Sequence, residues 1–263
     1  SAPASATKVV TELPLSGYNR RTHNRARMLD FLDKLAVKPH EEFFTLYLPP
    51  LLPTLELEKL IKEVPAPEVT ITELIKTAGR SITGAVIFWD NRLNFLVVPP
   101  FPISETGAYH SLNIESLRLL LSRDYLVGLV LVRLGSYAIG VCRGEKLVSS
   151  KVGTGLVHGR HRQGGSSAHR FERHRDKQIE YFLTRVCQHC REQLEPYEKS
   201  LDYIVYGGAR TTILLLQKQC PLLSKLETPT LPPLLDIPEP RQAVLETAVN
   251  RVWSSTVYEW QED

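Results

Sequence analysis

YLVGLVLVRLGSYAIGVCRGEKLVSSKV, residues 125–152, is the stretch that decides the fold. Three apolar or β-branched runs (125–134, 137–142 and 146–152) are separated only by Gly135-Ser136 and by Arg143-Gly144-Glu145. Short runs joined by glycine turns read as an antiparallel meander. Working upstream, 114–122 has a helical pattern. Residues 83–89 and 93–98 form a second hairpin about Asp90-Asn91-Arg92, and 43–48 reads as a strand closed by Pro49-Pro50. Two short helical patterns, 55–64 and 72–78, flank the prolines at 65 and 67. Met28, Phe31, Leu32 and Leu35 give 23–37 an apolar stripe at helical spacing, ended by Lys38-Pro39.

Downstream of the meander, Ile179, Phe182, Val186, Cys190 and Leu194 recur every three or four residues, the mark of a long helix over about 171–194 with one buried face. A strand (201–206), a helix (210–219), a proline-rich irregular stretch (221–240) and a last helix (241–253) complete the chain. Trp253, Tyr258 and Trp260 read as packing the terminal helix and its extension onto the core. The class this predicts is α+β (mixed α/β), a single domain over 23–263 whose central mixed, largely antiparallel sheet is flanked by helices. Residues 1–22, small, polar and basic, read as a flexible leader.

The 263 residues carry 43% hydrophobic and 23% charged side chains, ordinary folded-protein usage that disfavours disorder, collagen and coiled coil. The longest apolar run, 126–134, is broken by Gly128 and Arg133 and is far shorter than the roughly 20 residues that span a bilayer. No secretory signal and no membrane anchor are expected. Four cysteines (142, 187, 190, 220) are too few for a disulfide framework, so a reducing cytoplasm is expected, with the thiols at 187 and 190 as core packing.

Net charge is +3, yet 151–177, KVGTGLVHGRHRQGGSSAHRFERHRDK, holds seven Lys or Arg against two acids. That segment alone is +5, leaving the rest of the chain at −2. It also holds four of the eight histidines and five glycines, with almost no large apolar residue between Val157 and Phe171. Such a segment cannot bury itself, so 153–170 is expected to be an exposed, mobile basic loop. Cations this dense repel one another unless a polyanion neutralises them, which points to nucleic acid. Arg170, Arg173 and Lys177 fall at i, i+3 and i+7 and form a basic stripe where the long helix begins.

Other chemistries fit poorly. Gly153-x-Gly155 with Gly159 is one residue off a dinucleotide fingerprint, so no organic cofactor is expected. His158-x-x-His161 is flanked by Arg160 and Arg162, which would repel a dication, so no metal is expected either. Ser166 and Ser167 lie outside any nucleophile elbow. The strand interiors hold too few carboxylates for the two-metal chemistry of a ribonuclease H-type nuclease.

A strand meander, a basic loop containing RHRQGGSSAHRF and a long helix together resemble the Vms-like release factor (VLRF) family. Its members are relatives of the catalytic domain of eukaryotic and archaeal class I translation release factors. The resemblance runs over roughly 80–220 and implies a release-factor catalytic-domain-like, ribonuclease H-like fold. It also implies a peptidyl-tRNA hydrolase that needs no cofactor. In that family a glycine-glycine-glutamine or glycine-serine-glutamine loop enters the peptidyl-transferase centre and promotes hydrolysis of the peptidyl-tRNA ester.

Carried over residue by residue, Gln163, Gly164, Gly165 and Ser166 match the family's QGGS, and Ser167 stands where the family has glutamine. The implied catalytic tip is therefore Gln163, Gly164, Gly165, Ser166 and Ser167. Arg160, His161, Arg162, His169, Arg170, Arg173, Arg175 and Lys177 are the implied RNA contacts. The implied setting is ribosome-associated quality control, or ribosome rescue, in the cytoplasm. The protein would act as a monomer on the large ribosomal subunit, with peptidyl-tRNA and rRNA as its partners. The alternative is a non-catalytic RNA- or ribosome-binding module that uses the same basic loop only to bind.

Overall fold

The computed structural model describes residues 17–37, 43–65, 69–90, 94–159 and 166–261. In chain order its first elements are β1 (Asn19–His23), α1 (Arg25–Val37), β2 (Phe44–Leu48), α2 (Thr54–Glu63), α3 (Val69–Ala78), β3 (Ala85–Trp89), β4 (Asn94–Val98), β5 (Gly107–Tyr109) and α4 (Glu115–Ser122). There follow β6 (Leu126–Arg133), β7 (Ser136–Arg143), β8 (Lys146–Thr154), α5 (Ser166–Leu194), β9 (Tyr203–Gly207), α6 (Arg210–Gln219), α7 (Pro221–Lys225), α8 (Gln242–Val252) and β10 (Ser255–Trp260). The class is mixed α+β, with largely antiparallel sheets flanked by helices. There are two sheets, not one central sheet, and they belong to two compact units: Ser1–Arg123 with Trp253–Asp263, and Asp124–Val252.

The first unit is built on a six-stranded antiparallel sheet in the order β1-β10-β4-β3-β2-β5. Both of its faces are covered, so its inner strands are near-continuous apolar runs, and every residue of β2 is buried. Alternation still sorts them. Leu46, Leu48, Ile87 and Leu96 pack with Leu57 and Leu60 of α2 and Leu74 and Ile75 of α3. Tyr47, Val86, Phe88 and Val97 face Met28, Leu32 and Leu35 of α1 and Leu117 and Leu121 of α4.

Trp253, Tyr258 and Trp260 are buried, as their composition suggests. Their extension is β10, which lies between β4 and β1. Residues 19–23, expected as leader, form strand β1, pairing Arg21 with Val257 and His23 with Ser255. β1 has no apolar residue, and its extended form comes from the β10 ladder it joins.

The second unit has a four-stranded sheet in the order β8-β7-β6-β9. The expected meander is present, with β6 and β7 antiparallel through eight residue pairs and β8 following on β7. β9 runs parallel to β6, and the crossover that makes this possible contains α5. Phe182, Leu183, Val186, Cys190 and Leu194 of α5 pack on Val130, Val132, Tyr137, Ile139 and Val141 of the sheet, together with Ile213 and Leu216 of α6. Gly140 of β7 leaves room for Leu245 of α8, which a Cβ there would approach to 3.0 Å.

The proline-rich stretch is less irregular than its composition implies. It contains α7, and backbone bonds from 229–234 to Ile204, Tyr206 and Gly208 cover the outer edge of β9. Cys187 is not a simple core thiol: it forms a disulfide with Cys220, their Cα atoms 5.3 Å apart, joining α5 to the end of α6. Among the described residues no helix is long and apolar enough to cross a membrane.

Candidate functional site

The site grows from the last residues of β8. The Gly155 amide donates to the carbonyl of Gly135 at 2.9 Å. A Cβ on Gly155 would lie 2.7 Å from Phe182 Cδ2, so only glycine brings the chain this close to α5. Three residues on, the His158 amide donates to Oε1 of Gln178 at 3.1 Å, and Nε of Arg175 donates to the His158 carbonyl at 3.0 Å. One side of the basic loop is therefore tied to the third and fourth turns of α5 through both backbone groups of His158.

Residues 160–165 lie outside the described residues, and with them the candidates Arg160, His161, Arg162, Gln163, Gly164 and Gly165. The chain re-enters at Ser166, where α5 begins, five residues earlier than helical periodicity places it. Ser166 and Ser167 thus belong to the first helical turn, not to a loop running to residue 170. The first four amides of a helix have no intrahelical acceptor, and the backbone N–H of Ser167 is one of them.

The burial pattern of α5 gives the site its shape. From His169 on, the first buried residue is Phe182, which lies sixteen positions after Ser166. At 1.5 Å per residue, about 24 Å of helix separates Ser166 from Phe182, and half-buried Ile179 already packs on the core. His169, Arg170, Arg173 and Lys177 are exposed along this stretch, and Arg175 is half-buried beside His158. Arg173 bonds the carbonyl of His169 through Nε at 3.3 Å, and His169 Nδ1 lies 3.9 Å from Glu172. Arg170 and Lys177 have no acidic partner among the described residues. The arrangement is a polar, cationic first half of α5 whose third and fourth turns hold the root of the basic loop.

Sequence reasoning missed two residues of this arrangement, Gly155 and Gln178. Gly155 was one glycine among five in its segment. Gln178 was visible only as the residue one turn beyond His174 and Arg175, on the same side of the helix.

The model of the Actinobacteria/chloroflexi VLRF1 release factor family matches residues 125–258, from the start of the meander into β10. Peptide chain release factor subunit 1 of Archaeoglobus fulgidus is 30% identical over 126 residues, which are 47% of this chain and 31% of that one. The corresponding protein of Methanosarcina mazei is 31% identical over 137 residues, 49% of this chain and 33% of its own. That of Thermococcus sibiricus is 30% identical over 122 residues, 45% and 29%. The matches thus span about a third of the length of these relatives. A crystal structure of the archaeal translation termination factor aRF1 aligns at 17% identity and a TM-score of 0.35, covering 86% of this chain and 72% of that one. The family model takes in just over half of the chain, including the meander, the basic loop and α5, and the chain belongs to the VLRF1 release factor family.

Proposed function

We propose that the protein is a peptidyl-tRNA hydrolase that frees nascent chains from stalled large-subunit complexes. Family membership supports a release-factor-like function, and the observation that carries the finer reading is the polar, cationic first half of α5. A Gly-Gly tip preceding a polar helix that is exposed from His169 to His174 can enter a narrow RNA cavity that a folded core cannot. Arg160, His161, Arg162, His169, Arg170, Arg173 and Lys177 neutralise phosphates along the entry path, while Arg175 spends Nε on the loop root.

At the tip, water attacks the ester carbonyl. The tetrahedral oxyanion accepts from the amide of Ser167, the ester bond to the tRNA ribose oxygen breaks, and that oxygen takes up the proton lost by water. Gln163 supplies the carboxamide that orients the water, since Ser167 is too short to do so. Gly164 and Gly165 let the chain turn tightly against RNA, and Ser166 opens the helix behind them. No ionised side chain, metal or organic cofactor takes part. The protein works as a monomer in the cytoplasm, on rRNA and peptidyl-tRNA of the large subunit, in ribosome rescue and quality control.

Ser167 at the family's glutamine position also favours a second reading, a ribosome-binding module that does not cleave. Incubating the protein with stalled complexes and following nascent-chain release separates the two. Release that falls at least about a hundredfold in G164V/G165V supports hydrolysis, since a small displacement of reacting groups costs that much. Binding without release supports the module.

A further inference from the structure

A second cationic feature lies in the unit that contains α1, in residues whose sequence suggested only a leader and a helix. The end of β1 and the exposed side of α1 enclose an open cleft of about 670 Å³, lined by Arg21, His23, Arg27, Phe31 and the Asp30–Lys34 pair. Asp30 is its one acid and is already committed, with Lys34 Nζ 2.6 Å from Oδ2. Neither Arg21 nor Arg27 has an acidic partner among the described residues. Among the described residues, two guanidiniums therefore face one cleft without counter-charge. Their field reaches His23, which is held below the usual histidine range first by partial burial and then by the charges of Arg21 and Arg27.

His23 stacks on Phe31, ring centroids 6.0 Å apart with planes 23° from parallel, and Phe31 is fixed edge-on against Phe95 at 5.1 Å. The cleft thus pairs uncompensated cations with a braced aromatic surface. Among the described residues β1 is the last strand of its sheet, and no other described strand takes its outer edge.

We propose that this cleft binds single-stranded RNA, Arg21 and Arg27 gripping backbone phosphate and the His23–Phe31 pair offering a platform to a base. Isolated phosphate has no use for the aromatic pair. A lipid surface needs apolar side chains at the rim, and the side chains of β1 are all polar. The inference rests on the α1 unit alone and is independent of hydrolysis at the 163–167 tip.

The test is fluorescence anisotropy of a labelled uridine oligonucleotide with the full chain across a salt series. R21A/R27A is expected to weaken binding several-fold and to flatten the slope of log affinity against log salt by about 1.4, two phosphate contacts at ~0.7 each. R21K/R27K is expected to keep the slope. The loss is expected to persist when R170A/R173A/K177A is also present. Both side chains at 21 and 27 are exposed, so an unchanged thermal melt is expected of each variant. Unchanged affinity and slope in R21A/R27A overturn the proposal. So does a variant that loses retention of inorganic phosphate or of phosphatidylserine vesicles while RNA affinity stays the same.

Discussion

The Nε of Arg175 donates to the carbonyl of His158 at 3.0 Å, and one helical turn further on Gln178 accepts from the amide of the same residue at 3.1 Å. A segment too polar to bury itself is thus positioned at its root by side-chain bonds to the backbone. Arg175→Ala and Gln178→Ala are each expected to lower nascent-chain release by about tenfold through a displaced tip. Binding to stalled complexes, followed by co-sedimentation, should change less. Gln178 carries no charge, so matching losses identify a tether, and a loss confined to Arg175→Ala assigns that residue to RNA instead.

The amide of Ser167 can be tested apart from its side chain. Proline is tolerated in the first helical turn because the N–H there has no intrahelical role. Ser167→Pro should therefore preserve α5, checked by circular dichroism, while release falls by about 10²–10³-fold, the cost of losing one oxyanion donor. Ser167→Ala keeps the amide and should stay within a few-fold of the parent.

Gln163→Ala is expected to cost about a hundredfold in release, with binding to stalled complexes retained. Ser167→Gln in that background should recover part of the loss by restoring a carboxamide. Failure to recover assigns water placement elsewhere.

Gly208 has φ +124°, and a Cβ there would lie 2.1 Å from the carbonyl oxygen of Val132. Backbone cannot step aside as a flexible side chain can. Gly208→Ala should cost about 2–3 kcal/mol in chemical denaturation, at the upper end for overpacking. Trp253, fully buried, sits edge-on to Phe101 at 4.6 Å and beneath the Arg25 guanidinium at 4.7 Å. Trp253→Ala should cost about 3–5 kcal/mol and Trp253→Phe distinctly less.

Cys190 is buried, and its burial pushes the thiol up to about 12, so almost no reactive thiolate exists at neutral pH. Cys142 is buried as well, and Cys187 is tied to Cys220. At pH 8 iodoacetamide is expected to add nothing to the native protein and two groups after unfolding without reductant. Unfolding with reductant should give one group on each of the four cysteines, all counted by intact mass.

The meander, the buried face of α5 and the concentration of positive charge at 151–177 were settled by the sequence, because each depends on residues close together in the chain. Local alternation, local helical spacing and local composition are sufficient for such features.

The β1–β10 ladder was not legible, since Asn19–His23 has no apolar alternation and its partners are more than two hundred residues away. Nor was the Cys187–Cys220 bond, which depends on how α6 packs against α5. The earlier start of α5 at Ser166 escaped periodicity because the sequence there, SSAHR, has no apolar stripe. Only tertiary structure positions that polar helix. Its direction is fixed downstream, where Ile179 packs on the core and Phe182 enters it.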